Sequence, residues 1–320
     1  MSRACIFVRV FLLIAFLAIS APRSFSERLR LAPRFHAGQI LFYRIDFNSS
    51  RNVKTAGPVS SPQLPPSSTL AATGLLQVEI LSAGAAGLHI KSYYSERNPP
   101  GAASQSQESQ THGSSPSDKM IEVSIAANGT ASQITGIDRL SPAQQFAWND
   151  WLGRFTSSMT FPKAGVHAGQ KWETSEAETD PSPIAALSWT KKYQYVRDEP
   201  CLSDQHSQRA NPETSLLNAK VCAVILIRSV LRQKSSPKSS TPDDYRLRNL
   251  KTRGSAAGKN ETILYFDRSS GLLVRSTEDA QQAMDVLVAL TDGSNSVRYV
   301  LDAKSHSDIL LLPDSPQSAH

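Results

Sequence analysis

Apolar and polar residues alternate along this chain in short runs separated by turn residues, a period of two that predicts strands. In "QILFYRIDF" (39–47), Ile40, Phe42 and Arg44 alternate against Leu41, Tyr43 and Ile45. "LLQVEILSAGAAGLHIKSYY" (75–94) predicts two strands joined through Gly84 and Gly87. "MIEVSIAANGTASQITGI" (120–137) predicts a further pair, with Asn128 and Gly129 at the two positive-φ positions of a tight I′ hairpin. "ALSWTKKYQYVR" (186–197) and "AKVCAVILIRSVLR" (219–232) are dense in β-branched and aromatic residues. A buried helix is the alternative for the second of these, and its Val and Ile content favours strand.

Towards the C-terminus, "ILYFDRSSGLLVRSTED" (263–279) gathers an aromatic, acids, serines, arginines and a glycine. It reads as two strands around Arg268, Ser269 and Ser270, with Gly271 suited to a left-handed turn and Asp267 to accepting turn N–H groups. Ser269 and Ser270 have no histidine close in sequence and no Gly-x-Ser-x-Gly frame, so the cluster predicts a hairpin and not a nucleophile. Residues 278–290 fit either a strand, from the alternation of Val286, Val288 and Leu290, or a helix ended by Gly293; the alternation favours strand. One segment has the helical period. In 140–159, Ser141 is an N-cap, Pro142 fits the first helical position, and Gln144 completes a capping box. Trp148, Leu152, Phe155 and Met159 then lie along one face. The expected fold is mainly β: a large curved antiparallel sheet or half-open barrel, built as a meander of hairpins, with one main amphipathic helix packed on it.

The N-terminus changes the picture of where such a sheet would reside. Arg3 and Arg9 precede an apolar run from Val10 to Ala18, followed by small residues that offer cleavage after Ser20 or Ser26. This predicts a secretory signal peptide over 1–26, with an uncleaved anchor as the alternative. Cys5 precedes the apolar run, whereas a lipid-modified cysteine would follow it. The mature chain shows no further stretch apolar enough to span a membrane. The expected location is periplasmic or extracellular.

Removing 1–26 takes away three arginines and no acids, so the formal charge falls from +6 to +3. The most basic remaining stretch, with Arg246, Arg248, Lys251, Arg253 and Lys259, reads as a solvated loop, and nucleic-acid binding is not expected. Export also leaves two cysteines, Cys201 and Cys222, which predict a disulfide worth roughly 3 kcal/mol in chain-entropy terms. A single β-rich domain over 27–312 is expected, with disordered Ser/Pro-rich insertions at 49–68, 95–119 and 233–259 and a flexible tail at 313–320.

The order of signals, carried by "VSIAANGTASQITGID", the capped helix, "FPKAGVHAGQKWE" and "YFDRSSGLLVRS", resembles families of exported bacterial proteins of unknown function. The strand–turn series also looks like the curved, half-open sheets of periplasmic outer-membrane lipoprotein carriers. The resemblance spans roughly Gln39 to Leu312 and implies a sheet wrapped around a helix, enclosing a hydrophobic hollow. It transfers no functional residue.

Candidate chemistry is sparse. His36, His89, His112, His167, His206, His306 and His320 are dispersed, and no glycine-rich phosphate cradle occurs. Neither a metal site nor a cofactor is expected. Glu173, Glu176, Glu178 and Asp180 read as a solvated strand end. The expectation is a non-catalytic envelope protein that binds an apolar ligand, such as a lipid, or another envelope component. Its cavity candidates are Phe42, Trp148, Trp151, Phe155, Tyr193 and Tyr195, with packed core as the plainer role for the helix tryptophans. The alternatives are an exported hydrolase with a Ser–His or His–carboxylate pair assembled only in the fold, and an interaction module without a pocket.

Overall fold

The computed structural model describes residues 28–57, 67–96, 120–178, 182–201, 220–233 and 241–312. The segment read as a signal peptide, residues 97–119 of the expected second insertion and the C-terminal tail lie outside them. Eleven strands form one antiparallel sheet that does not close: β1 (Ile40–Ala56), β2 (Ser67–Gly84), β3 (Gly87–Glu96), β4 (Met120–Ala126), β5 (Ala131–Thr135), β6 (Lys171–Ala177), β7 (Leu187–Pro200), β8 (Val221–Gln233), β9 (Leu250–Asp267), β10 (Leu273–Leu290) and β11 (Val297–Leu312). Their spatial order is β5-β4-β3-β2-β1-β11-β10-β9-β8-β7-β6. The sheet is thus two five-stranded meanders, with β11 between β1 and β10. One main helix, α1 (Pro142–Phe155), packs on it, and a single-turn helix, α2 (Asp243–Leu247), precedes β9.

The helix starts where the sequence places it. Ser141 Oγ accepts the Gln144 N–H at 3.3 Å, and Gln144 Oε1 accepts the Ser141 N–H at 3.0 Å. It ends at Phe155, so Met159 falls in the 3₁₀ turn that follows. Trp148, Trp151, Leu152 and Phe155 are buried against the face that carries Leu41, Tyr43 and Ile45. At about 25 cal/mol per Å² and about 150–250 Å² each, burying the two tryptophans contributes up to roughly 10 kcal/mol before entropy is charged. The segment read as strand or helix, 278–290, is strand, as is 219–232, within β10 and β8.

Two expectations are corrected. The β4–β5 turn is not type I′. Asn128 keeps a negative φ, and Gly129 alone is left-handed, at φ 84°. The Gly129 N–H reaches Ala126 O at 2.8 Å and the Ala126 N–H reaches Thr130 O at 2.9 Å, which is a type I turn followed by a glycine bulge. The cause is the Asn128 side chain: its Oδ1 accepts the Thr130 N–H at 3.1 Å, a local bond that leaves Asn128 no need of positive φ. The turn from Leu290 to Ser294 repeats the device with Gly293 at φ 84°.

The insertions are also shorter than composition suggests. Residues 49–56 continue β1 and pair with both neighbours, Ser49 with Ser305 and Leu70, and Val53 with Leu301. Residues 250–259 are strand β9, so Lys251, Arg253 and Lys259 sit on a strand and not on a loop, while Arg246 belongs to α2. Composition misleads here because these long strands cross a polar band at mid-sheet, through Ser49, Ser305, Ala280, Asn260 and Ser229, before reaching a second apolar cluster. That cluster joins Ile184, Leu187, Leu231, Ala256 and Val286. The turn after β9 matches its sequence reading: Gly271 has φ 70°, and Asp267 Oδ1 accepts the Ser269 N–H at 2.8 Å and its hydroxyl at 2.7 Å. These bonds outweigh burial and hold the Asp267 carboxyl below its usual range.

Candidate functional site

The six cavity candidates divide between the two faces of the sheet. Trp148, Trp151, Phe155, Tyr193 and Tyr195 belong to one buried cluster on the helix side. Their rings pack closely: Trp151 on Phe155 at 4.8 Å, Trp148 on Trp151 at 6.2 Å, and Tyr43 edge-on to Phe155 at 6.3 Å. Trp148 Nε1 donates to Ser92 Oγ at 3.0 Å. Phe42 alternates with the buried Tyr43 and so lies on the opposite face, half-buried.

Beside this cluster, at the end of the sheet where β2 turns into β3, lies a hollow of about 510 Å³. That volume is within the range of roughly 300–1,000 Å³ typical of small-molecule sites. Three pieces of chain build it. A strap preceding β1 crosses the strand ends, anchored by paired bonds between Leu29 and Val166 at 2.7 and 2.9 Å and by the Arg34 N–H to Ser270 O at 2.8 Å. The segment leaving α1 forms the facing wall, with Met159, Phe161 and Lys163. The end of β2 and the turn after β4 supply Ala83, Gly84 and Ala127. Leu31, at 3% exposure, and Phe161, at 7%, are buried lining residues. Phe161 lies against Tyr193, with ring centroids 5.9 Å apart, and Phe35 against Phe155 at 5.1 Å. Two sequence candidates therefore stand one layer behind the wall.

Ser158 also lines this hollow. Its side chain is buried, and its Oγ has no hydrogen-bond partner among the described residues. A buried hydroxyl without a partner costs about 1–3 kcal/mol. Around the mouth stand Arg30, Arg34 and Lys163, all exposed, and no acidic side chain lines it. None of these residues carried a sequence signal. The strap is held by an isolated bridge at Leu29, and Ser158 sits in a 3₁₀ turn, so periodicity could not group them.

A second hollow, of about 610 Å³, crosses the opposite face between two ladders of cross-strand partners. One ladder is Asn48, His306, Asp279, Glu261 and Arg228; the other is Ser50, Lys304, Gln281, Lys259 and Val230. Its walls are largely satisfied. Arg228 Nε donates to Glu261 at 2.7 Å, while His306 bridges Asp279 at 2.8 Å and Asp308 at 3.1 Å. Asp279, and then Asp308, raise the His306 pKa above its ordinary value.

Between α1 and the mid-sheet polar band lies a buried charge cluster. Arg154, 5% exposed, donates to Asp150 Oδ1 at 2.6 Å, Ser307 Oγ at 2.5 Å and Ser276 Oγ at 2.9 Å, and lies 3.7 Å from Glu278 Oε2. Burial raises the Glu278 pKa, against the pull of Arg154. The cluster ties the helix to β10 and β11 and opens to no hollow described above.

The hydrolase alternative asks for a Ser–His or a His–carboxylate pair; His306 with Asp279 and Asp308, at the second hollow, is the latter, and His89 with Ser124 is the former. His89 Nδ1 lies 3.1 Å from Ser124 Oγ, and His89 Nε2 lies 4.0 Å from Glu122. The three sit on the sheet face opposite the helix, and Ser124 Oγ donates to Gln133 Oε1 at 3.1 Å, so the hydroxyl proton points away from the imidazole. Neighbouring backbone N–H groups belong to the β3–β4–β5 pairing, leaving no donor pair for an oxyanion. Among the described residues no three His, Cys, Asp or Glu side chains converge as a metal site would require. The disulfide Cys201–Cys222 closes the junction of β7 and β8, with Cα atoms 5.0 Å apart.

No protein-family model and no curated protein matches the chain. Solved structures with some likeness include the outer membrane protein OprG from Pseudomonas aeruginosa, 6% identical over 86% of this chain and 96% of that one, with a TM-score of 0.16. A variant of the Rh. blastica porin is 8% identical over 86% and 100%, with a TM-score of 0.19. These scores lie far below what a shared fold requires, so the functional argument rests on the chain itself.

Proposed function

We propose that this is an exported, non-catalytic envelope protein that shelters an apolar ligand in the hollow beneath the strap. The observation that carries the reading is a hollow of about 510 Å³ with an apolar lining from Leu31, Phe35, Leu88, Met159 and Phe161. The signal-like N-terminus and the disulfide support residence in an oxidising compartment. The Ser124–His89 pair lacks an oxyanion site and a cleft, so binding accounts for more of the molecule than hydrolysis does.

Native mass spectrometry of protein purified from its own compartment without detergent tests this. The expected result is a reproducible small-molecule adduct that is lost in Ala83→Trp, which places an indole in the hollow from an exposed position at the end of β2. A clean apo mass for the wild-type protein would overturn the reading and leave the interaction module.

A further inference from the structure

We propose that the ligand of this hollow is an amphiphile with an anionic headgroup, an assignment that rests on the binding reading above. Its headgroup sits at Arg30, Arg34 and Lys163, and its tail on Leu31, Met159 and Phe161. The three cations come from two separate walls, Arg30 and Arg34 from the strap and Lys163 from the turn closed by the Gly165 N–H to Pro162 O bond at 2.9 Å. The Leu29–Val166 bridge holds those walls together, so their charges stay around one mouth. None of the three forms an ion pair within the described residues, whereas Arg154, Lys191, Arg197, Arg228 and Arg298 all do.

The lining also excludes the simpler ligands. A neutral apolar molecule would leave three cations at the mouth without a counter-charge. An inorganic anion would leave the half-buried apolar lining, Phe35 and Met159, without a contact. An anionic head on an apolar tail satisfies both ends.

Titration calorimetry at low ionic strength with decyl phosphate, 1-decanol and inorganic phosphate tests the proposal. Decyl phosphate is expected to bind about tenfold or more tighter than decanol, a difference of about 1.4 kcal/mol. The triple variant Arg30→Ser, Arg34→Ser, Lys163→Ser should reduce decyl phosphate to the decanol level and leave decanol unchanged. Equal binding of the two amphiphiles, with no effect of the triple variant, would overturn the headgroup assignment while the apolar-ligand reading stands. Inorganic phosphate binding as tightly as decyl phosphate would also overturn it, by showing a simple anion site. If neither amphiphile binds, the apolar-ligand reading falls with it.

Discussion

Replacing Arg154 by methionine keeps an unbranched stem in the space between α1 and the sheet and removes the guanidinium. What remains is a pair of carboxylates, Asp150 and Glu278, each 19% exposed at the side chain, and the hydroxyls of Ser276 and Ser307. Removing one partner of a buried pair costs about 3–5 kcal/mol because the other charge is left uncompensated. The partial exposure of both acids places the loss at the lower end, about 3 kcal/mol near pH 7. Acidification should shrink it. The Glu278 pKa already stands above 4.5 through burial, and Arg154 is the main group pulling it down, so the variant raises it further. A carboxyl raised in the folded state binds its proton more tightly there than in the unfolded chain. Stability is therefore gained as pH falls through the folded value, and the gain is complete below the unfolded value. The deficit should narrow between neutral pH and about pH 4.5. Urea unfolding of both proteins near pH 7 and near pH 5 measures it. A loss under about 1 kcal/mol, the size of a surface pair, would refute the reasoning. So would a deficit that does not change with pH.

Other outcomes follow from single features. Replacing Cys201 and Cys222 by serine opens a loop of 21 residues and should cost about 3 kcal/mol in the same assay, and free thiols in the exported protein would contradict the bridge. His306, raised above 6.5 by Asp279 and then Asp308, adds stability that is complete below about pH 6.5 and lost as pH rises through its folded value. Its NMR titration should therefore lie above 6.5 and move down in Asp279→Asn; a midpoint at or below 6.5 would contradict the bridge. Gly271→Ala places a methyl 2.5 Å from Ala32 O at φ 70°, so it should cost more than the roughly 1–2 kcal/mol of a left-handed alanine and loosen the strap. Hydrogen exchange at Arg34, whose N–H bonds Ser270 O, would show that loosening.

The strands and the helix were legible because each carries its own period. Leu41, Tyr43 and Ile45 alternate with half-buried neighbours, and Ser141 with Gln144 marks the start of α1 before any tertiary contact is known. The strand ends at 49–56 and 250–259 were illegible for the complementary reason. Their serines, alanines and lysines carry no apolar period, and they are held by backbone pairing, chiefly to β11 and β10. The hollow was hidden in the same way. Arg30, Ala83 and Lys163 belong to a strap, a strand end and a turn, where no local pattern connects them. Aromatic content pointed to the tryptophans, but rings of that size on a helix facing a sheet fill space, and the room remains at the rim where smaller residues meet.

Strand β11 lies between β1 and β10, pairing Ile45 with Ile309 on one side and Ser276 with the same Ile309 on the other. Each five-stranded half can zip up from consecutive hairpins as it emerges, but among the described residues no strand of one half pairs with a strand of the other except through this last strand. It acts as a keystone. Until it arrives, β1 and β10 each present a row of unsatisfied backbone groups 17 and 18 residues long, which invites mispairing with other chains. Completion of the sheet is thus a late, long-range event, slow by topology. A polypeptide cut before Val297 should form two half-sheets that cannot join, and its fate would be self-association or proteolysis.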